Sequence, residues 1–171
     1  MSFLLTNLPN FPMNETAKKT ALRKISYGLY VVGVRQDDNL NAFTADWISQ
    51  CSFAPPLVML GVRRDSGSNA MLRESRVFAV SVLGQSQIEV AKHFLKPDRL
   101  GTGQKLDDFE LQFAQTGAPI LKDCSAWFEC RVREILDIGD HSVVVGEVVE
   151  AGIESDEEPL KLSDTPWHYG G

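Results

Sequence analysis

Residues 41–62 carry a dense set of small hydrogen-bonding side chains at a predicted strand end and in the turn before Pro55-Pro56. They are Thr44, Ser49, Gln50 and Ser52, with Trp47 among them. Short polar side chains and backbone amides can meet the acceptors and the one N–H at the edge of a flavin ring, and an indole can shield a ring face. The alternative is that these hydroxyl groups only bond the local backbone.

A second stretch, residues 63–72, has the composition of a phosphate site. Two arginines stand at a predicted strand end, and Ser, Gly, Ser and Asn follow before a predicted helix. Amides at a helix N-terminus, hydroxyl groups and a guanidinium together bind phosphate well. A solvated turn with an ordinary serine cap would have the same sequence.

A third stretch, residues 139–148, places Asp140 and His141 at a predicted hairpin tip. A histidine there can stand beside a ligand and bond it, or it can be an exposed turn residue.

Motifs for other chemistries are missing. The sequence has no GxGxxG after its first predicted strand, no GxxxxGK[ST] and no GxSxG. No metal site is expected, because neither the histidines nor the cysteines have the spacing of metal ligands. They are His93, His141, His168, Cys51, Cys124 and Cys130. A Cys–His nucleophile pair stays open. A borrowed cofactor is therefore expected to carry any chemistry.

The elements that must position these residues are mostly strands. Periodicity and turn formers predict helices over residues 15–26 and 85–95 and a turn leading into a short helix over 65–72. They predict strands over 28–35, 40–47, 57–63, 76–83, 126–133 and 141–153. Asn14 is the expected cap of the first helix, whose buried side would carry Ala17, Leu22 and Ile25. Residues 96–107 are expected to form a loop. Short spacing between strands favours antiparallel pairing, hence a β-barrel or curled sheet with about three peripheral helices.

Size and charge narrow the class of protein. A chain of 171 residues fits one domain, here 1–171, with an N-terminal arm (1–13) and a C-terminal tail (154–171). A net charge of −6 argues against nucleic-acid binding and against adsorption to anionic membranes. Residues 1–15 lack the features of a signal peptide, and no stretch has the length of a spanning helix. We therefore expect a cytoplasmic protein.

Five segments in this order resemble the flavin reductase-like family, the FMN-binding split-barrel proteins related to flavoredoxins. The matching segments are ALRKISYGLYVVGV (21–34), NAFTADWISQCSFAPPLVML (41–60), RDSGSNAML (64–72), FAVSVLGQSQIEVAKHF (78–94) and ECRVREILDIGDHSVVVGEVVEA (129–151). Each segment alone is weak evidence, whereas five in the same order are specific. The similarity covers roughly residues 15–153.

The resemblance implies a mainly β protein, a split β-barrel that is usually a homodimer with FMN, in some members FAD, near the interface. It implies electron transfer from NADH or NADPH to flavin. It also implies roles for particular residues. Thr44, Ala45, Asp46 and Trp47 would line the flavin ring, and Ser49, Gln50, Cys51 and Ser52 would continue along the ring and ribityl chain. Arg63, Ser66, Ser68 and Asn69 would bind the phosphate, His141 would be the catalytic residue near the ring or nicotinamide, and Phe94 would contact flavin or lie in the core.

The sequence departs from the family at Asp46 and Trp47, where many members have small serines. A carboxylate and an indole there can narrow the site or exclude a second stacked ligand. The alternatives are accordingly an FMN-binding electron carrier served by a protein partner and a flavin- or haem-binding sensor with His93 or His141 as haem ligand. A structural dimer without a ligand also stays open. The tail either packs, burying Trp167 and Tyr169 against a partner subunit, or is a loose end.

Overall fold

The computed structural model describes residues 12–96 and 101–170. Most of the predicted N-terminal arm (residues 1–11), residues 97–100 of the predicted loop and residue 171 lie outside the described residues.

Three α-helices lie within the described residues: α1 (Glu15–Leu22), α2 (Gly67–Ser75) and α3 (Ile88–His93). Short 3₁₀ turns occupy Gln85–Gln87 and Leu162–Asp164. The side chain of Asn14 accepts a hydrogen bond from the Ala17 amide at 3.0 Å, which confirms the predicted cap. The predicted buried side of α1 is wrong, because α1 has no buried residue and both Leu22 and Ile25 are exposed.

Seven strands form one antiparallel sheet in the order β2-β1-β5-β9-β10-β4-β3. Their bounds are β1 (Tyr30–Gln36), β2 (Asn39–Ala45), β3 (Ile48–Ser52), β4 (Leu57–Arg63), β5 (Val77–Val82), β9 (Ala126–Leu136) and β10 (His141–Ile153). A smaller three-stranded sheet contains β6 (Lys105–Leu106), β7 (Phe109–Gln112) and β8 (Ile120–Leu121).

The large sheet curls into the split barrel. Val32 of β1 and Leu60 of β4 belong to one buried cluster with Phe78 and Val144, although three strands separate β1 from β4 in the sheet order. Moreover, β2 and β3 lie at opposite edges of the sheet order but are joined by Asp46 and Trp47 alone, so the sheet must bend round on itself. A second buried cluster covers the other face; it includes Phe94 and side chains from the small sheet and the tail. The predicted fold class, mainly antiparallel β with about three helices, is confirmed.

Two parts of the element prediction are wrong. Residues 48–52 form β3, which pairs with β4 through Ile48 and Leu60, instead of belonging to a turn. The predicted loop over 96–107 contains β6, which pairs with β7. Both are short polar segments whose partners, and not their own periodicity, make them strands.

Candidate functional site

A cavity of about 540 Å³ opens where β2 ends, α2 begins and β10 begins. Its wall also includes residues at the end of α3 and side chains from the segment 162–169. The volume lies within the roughly 300–1,000 Å³ typical of small-ligand sites. Gly61 of β4 belongs to the wall, and a Cβ there would come within 3.0 Å of the Trp47 ring. The glycine thus lets the indole lie directly on the strand.

The connection from β2 to β3 supplies Asp46 and Trp47 to the cavity wall. These two residues form the ring corner of the cavity, named for the indole ring of Trp47. The turn is fixed by the backbone, since the Ile48 amide donates to the Asp46 carbonyl at 3.1 Å and the Gly61 amide donates to the Trp47 carbonyl at 2.9 Å. Asp46 is only 7% exposed, and this burial raises the pKa of its carboxyl to about 6.

Two polar atoms in the ring corner are buried without a hydrogen-bond partner among the described residues. They are Oδ2 of Asp46, an acceptor when ionised, and Nε1 of Trp47, a donor. Buried polar atoms in folded proteins almost always have a partner, so such a pair is evidence for a missing one. A flavin ring edge carries both N–H and carbonyl groups, and the ring corner therefore fits the ring.

The N-terminus of α2 forms another part of the cavity wall, next to the end of β4 and the start of β10. Ser66 caps the helix: its Oγ accepts from the Asn69 amide at 3.2 Å and donates to the Arg63 carbonyl at 2.8 Å. The amides of the first helical turn have no partner inside the helix. Arg63 lies beside them, held to Asp65 by two bonds of 3.1 and 2.7 Å between the guanidinium and the carboxylate. This end can hold a phosphate group.

Two predicted phosphate ligands have other partners. Ser68 lines the cavity, and its Oγ accepts from the Asn41 amide nitrogen at 3.0 Å. Asn69 does not line the cavity. Its Nδ2 donates to the Arg63 carbonyl at 3.2 Å and to Ser142 Oγ at 2.9 Å, so it joins α2 to β4 and β10.

His141 begins β10 and faces the ring corner. Its Nδ1 lies 2.8 Å from a carboxylate oxygen of Asp140, its Nε2 lies 2.8 Å from the Tyr169 hydroxyl, and its ring centroid is 4.7 Å from that of Trp47. The hydrogen bond to His141 lowers the pKa of the Asp140 carboxyl. Asp140 therefore orients the imidazole through Nδ1. The other ring nitrogen, Nε2, points towards Tyr169 in the cavity wall.

Thr44, Ala45 and Phe94 also line the cavity. The Thr44 hydroxyl donates to the Ala91 carbonyl at 2.6 Å, and the Thr44 amide donates to the Phe94 carbonyl at 3.0 Å. Phe94 belongs to the second buried cluster as well as to the wall. Its two predicted roles, flavin contact and core, are therefore compatible.

The four predicted residues of β3 lie apart from the cavity. None of Ser49, Gln50, Cys51 and Ser52 is among its lining residues, and the first three are exposed. Ser49 and Gln50 bond backbone carbonyls of their own strand. Their contact with flavin stays a prediction.

Sequence reasoning missed the contribution of the tail. Leu162, Trp167, His168 and Tyr169 line the cavity, although more than 100 residues separate them from Trp47. The only available signal was the aromatic composition of WHY. The tail is held to its own chain by the Leu29 amide donating to the Leu160 carbonyl at 2.9 Å and by the Leu162 amide donating to the Tyr27 carbonyl at 2.9 Å.

Over residues 12–96 and 101–170, no three His, Cys, Asp or Glu side chains are grouped as metal ligands would be. Within the same residues, every helix is too short or too polar to span a bilayer.

The comparisons with known proteins agree with this geometry. Residues 22–169 match the profile of the flavin reductase like domain. Diflavin flavoprotein A 1 of Synechocystis sp. is 30% identical over 138 residues, which are 80% of this chain and 24% of that protein. The FMN reductase (NADH) SmoA of Agrobacterium fabrum is 29% identical over 150 residues, 88% of this chain and 83% of that protein.

Among solved structures, the NADH:FAD oxidoreductase SgcE6 of Streptomyces globisporus has a TM-score of 0.76 at 27% identity, covering 90% of this chain and 93% of that one. The chain spans only 22 to 24% of the length of several diflavin flavoproteins that it matches. The match over residues 22–169, together with a split barrel whose cavity fits a flavin, shows that this chain belongs to the flavin reductase-like family.

Proposed function

We propose that the protein is an oxidoreductase that binds FMN in the cavity and transfers electrons to it from NADH or NADPH. The observation that carries the proposal is the pair of unpartnered buried atoms, Asp46 Oδ2 and Trp47 Nε1, in the wall of a cavity that also includes a helix N-terminus. A flavin nucleotide has a hydrogen-bonding ring at one end and a phosphate at the other. The names of the relatives, an FMN reductase (NADH) and an NADH:FAD oxidoreductase, support the same reaction.

The chain would hold the cofactor by two groups of residues. Asp46 and Trp47 would meet the ring edge, with Thr44 and Ala45 beside them, and Arg63 and Ser66 would bind the phosphate with the first amides of α2. Arg63 is already paired with Asp65, so a phosphate would share or replace that carboxylate. FAD is an alternative cofactor, since a second pocket lined by Arg64 and Asp140 adjoins the cavity and shares Arg63 and His141 with it.

A bound flavin would provide the acceptor for a hydride from the nicotinamide. No side chain of this cavity can accept a hydride. The protein would orient the two rings and exclude water. We propose His141 as the residue beside the reacting rings: Asp140 fixes its orientation at Nδ1, and Nε2 is free to bond a ligand if Tyr169 moves.

The first experiment is an anaerobic visible spectrum of the protein loaded with FMN, before and after NADH and then NADPH. Flavin that stays with the protein through gel filtration and is bleached by one nicotinamide supports the proposal and identifies the donor. If the protein neither retains FMN nor reduces it in solution, the proposal is wrong.

The phosphate end is tested by Ser66→Asp. Aspartate caps helices as well as serine does, but its charge would repel a phosphate. We expect FMN to bind at least about 10-fold more weakly, which corresponds to roughly 1.4 kcal/mol. Riboflavin, which lacks the phosphate, should bind this variant and the wild type equally. Equal weakening of both ligands would place the phosphate elsewhere.

A second candidate is an electron carrier that receives electrons from a protein partner. The observation in its favour is Tyr169, which covers the Trp47 ring at a centroid distance of 5.3 Å and takes the space of a second stacked ring. In the same spectrum, this candidate predicts retained flavin that neither NADH nor NADPH bleaches.

We also propose that the protein is a homodimer. Exposed apolar side chains of Met59, Leu136 and Val143 lie on one face of β4, β9 and β10. This is the face of β4 on which Trp47 lies, because Val143 pairs with Gly61. The predicted β3 ligands are close by, so a second subunit on this face would border the site.

We propose a cytoplasmic location. The acidic net charge of −6 supports it, as do the free cysteines. Burial raises the pKa of the Cys124 thiol to about 11 and that of the Cys130 thiol to about 12, so both stay protonated and unreactive.

A further inference from the structure

Residues 167–170, the aromatic strap, lie across the ring corner. The Tyr169 ring is 5.3 Å from the Trp47 indole between centroids, and its hydroxyl is 2.8 Å from His141 Nε2. Gly170 follows with φ of +79°, and a Cβ there would come within 3.1 Å of the same indole. The strap thus covers the surface on which a flat ligand ring would stack.

The strap is held differently from the segment before it. Up to Thr165 the tail is bound by backbone hydrogen bonds, such as the Leu160 amide to the Leu83 carbonyl at 2.8 Å. Within the described part of the chain, residues 167–170 share no backbone–backbone hydrogen bond. Trp167 packs against the second buried cluster, whereas Tyr169 remains 42% exposed. Gly170 is held by a side chain, because the Arg23 guanidinium donates to its carbonyl at 3.4 Å. The last residues can therefore leave the cavity without disturbing the tail that precedes them.

While the strap covers the ring corner, it provides no hydrogen-bond partner for the buried polar atoms there. Tyr169 bonds His141, so Asp46 Oδ2 and Trp47 Nε1 stay without partners under the strap. Burial and the nearby Asp46 carboxyl raise the pKa of the Tyr169 hydroxyl, which keeps it neutral. A ring that stacks on Trp47 and also offers an N–H and a carbonyl group would bond both atoms, which Tyr169 does not.

We propose that the aromatic strap is an internal occupant of the ring corner and that a flat ligand with adjacent N–H and carbonyl groups displaces it. This inference rests on the proposed function. Adjacent N–H and carbonyl groups occur in the imide edge of a flavin and in the carboxamide of a nicotinamide. The strap therefore favours binding of such ligands over aromatic rings that lack these groups. Tyr169 is then a specificity-determining residue, because every ligand must compete with it.

The test measures binding of FMN and of NAD⁺, separately, to the wild type and to Tyr169→Ala. NAD⁺ carries no hydride, so the readout is independent of turnover. Removing a competing occupant raises the fraction of open protein, and we expect the displacing ligand to bind about 3- to 10-fold more tightly. Phe113→Ala, an exposed aromatic truncation away from the cavity, is the matched control and should change nothing. The probe that gains affinity identifies the displacing ring.

A second measurement follows the strap directly in the folded wild type. The chain has three tyrosines, Tyr27, Tyr30 and Tyr169, so 3-fluorotyrosine labelling gives three ¹⁹F resonances, and Tyr169→Phe identifies the one from the strap. On ligand binding this resonance should move to the position of a solvent-exposed tyrosine, while that of Tyr27 stays in place.

The outcomes separate the two proposals. Equal FMN and NAD⁺ affinities of wild type and Tyr169→Ala, with an unmoved ¹⁹F resonance, overturn the strap and leave the proposed function intact. Weaker binding to Tyr169→Ala also overturns it, since Tyr169 would then be a wall of the site. FMN binding to neither protein overturns the proposed function and the strap's role with it.

Discussion

Asp46 and Trp47 each have a buried polar atom, Oδ2 and Nε1, without a hydrogen-bond partner among the described residues. An unsatisfied buried donor or acceptor costs about 1–3 kcal/mol, so the two orphan atoms of the ring corner destabilise the ligand-free fold. A ligand that supplies both partners recovers this free energy on binding. The ring corner is thus where the ligand preference of the cavity is expected to be decided.

The Asp46 carboxyl makes stability depend on pH. Its pKa is about 6 in the folded chain because burial disfavours the charged form, against an ordinary value of 3.8. Between these values the folded chain keeps a proton that the unfolded chain has released, so the free energy of unfolding falls as the pH rises. The full loss, complete above the folded pKa, is on the order of 2–3 kcal/mol.

Asp46→Asn removes this titration, and the difference in unfolding free energy between variant and wild type should grow in favour of the variant from about pH 4 to about pH 7. Urea unfolding at a series of pH values measures it. Glu110→Gln is the control, since the pKa of that exposed carboxyl is lowered by Lys122, and its removal should therefore shift the difference in the opposite direction as the pH rises. A pH-independent difference for Asp46→Asn would contradict the assignment.

At the scale of elements, the fold depends on a close approach between two backbone segments. Gly33 in β1 lies against Pro119, just before β8, and a Cβ on Gly33 would collide with the Pro119 carbonyl oxygen. Here the obstacle is backbone, which cannot rotate away. The glycine therefore sets how closely the small sheet packs on β1 and the second buried cluster.

Gly33→Ala is expected to destabilise the fold by about 1–3 kcal/mol, the usual cost of overpacking. Gly139→Ala is the matched control, because a Cβ at Gly139 meets nothing within 4 Å. Urea midpoints of the two variants measure the contrast. Equal urea midpoints would mean that the backbone around Gly33 and Pro119 can move apart at no cost in stability.

At the scale of the whole molecule, the apolar face of β4, β9 and β10 is the surface most suited to a second copy. Met59, Leu136 and Val143 are exposed there, next to the strand that carries Gly61 and the Trp47 ring. Contiguous exposed apolar side chains of this kind usually mark an interaction surface.

Val143→Glu should convert the proposed dimer into a monomer, because it places a charge in the centre of the apolar face. Sedimentation velocity measures the change, and flavin retention should fall with it if the partner borders the site. Ile153→Glu, at the far end of β10, is the control that should remain dimeric. A wild type that is already monomeric would contradict the proposed interface.

The sequence alone determined the strands that carry the cavity and part of its wall. The run before Pro55-Pro56, the serine-rich start of α2 and the Asp140-His141 turn are local signals, because strand periodicity, helix caps and hairpin tips are set by residues close together in the chain. These signals placed Thr44, Trp47, Arg63, Ser66, Ser68 and His141 at positions that line one cavity, and the family resemblance added Ala45, Asp46 and Phe94.

Only the tertiary structure decided what closes that cavity and which candidates stand apart from it. β3 is a strand because β4 pairs with it, so Ser49, Gln50, Cys51 and Ser52 leave the wall. Asn69 turns to Ser142, more than 70 residues away in the chain, and Tyr169 reaches His141 across 28 residues. Such contacts depend on the curl of the sheet and the path of the tail, which no local pattern of residues encodes.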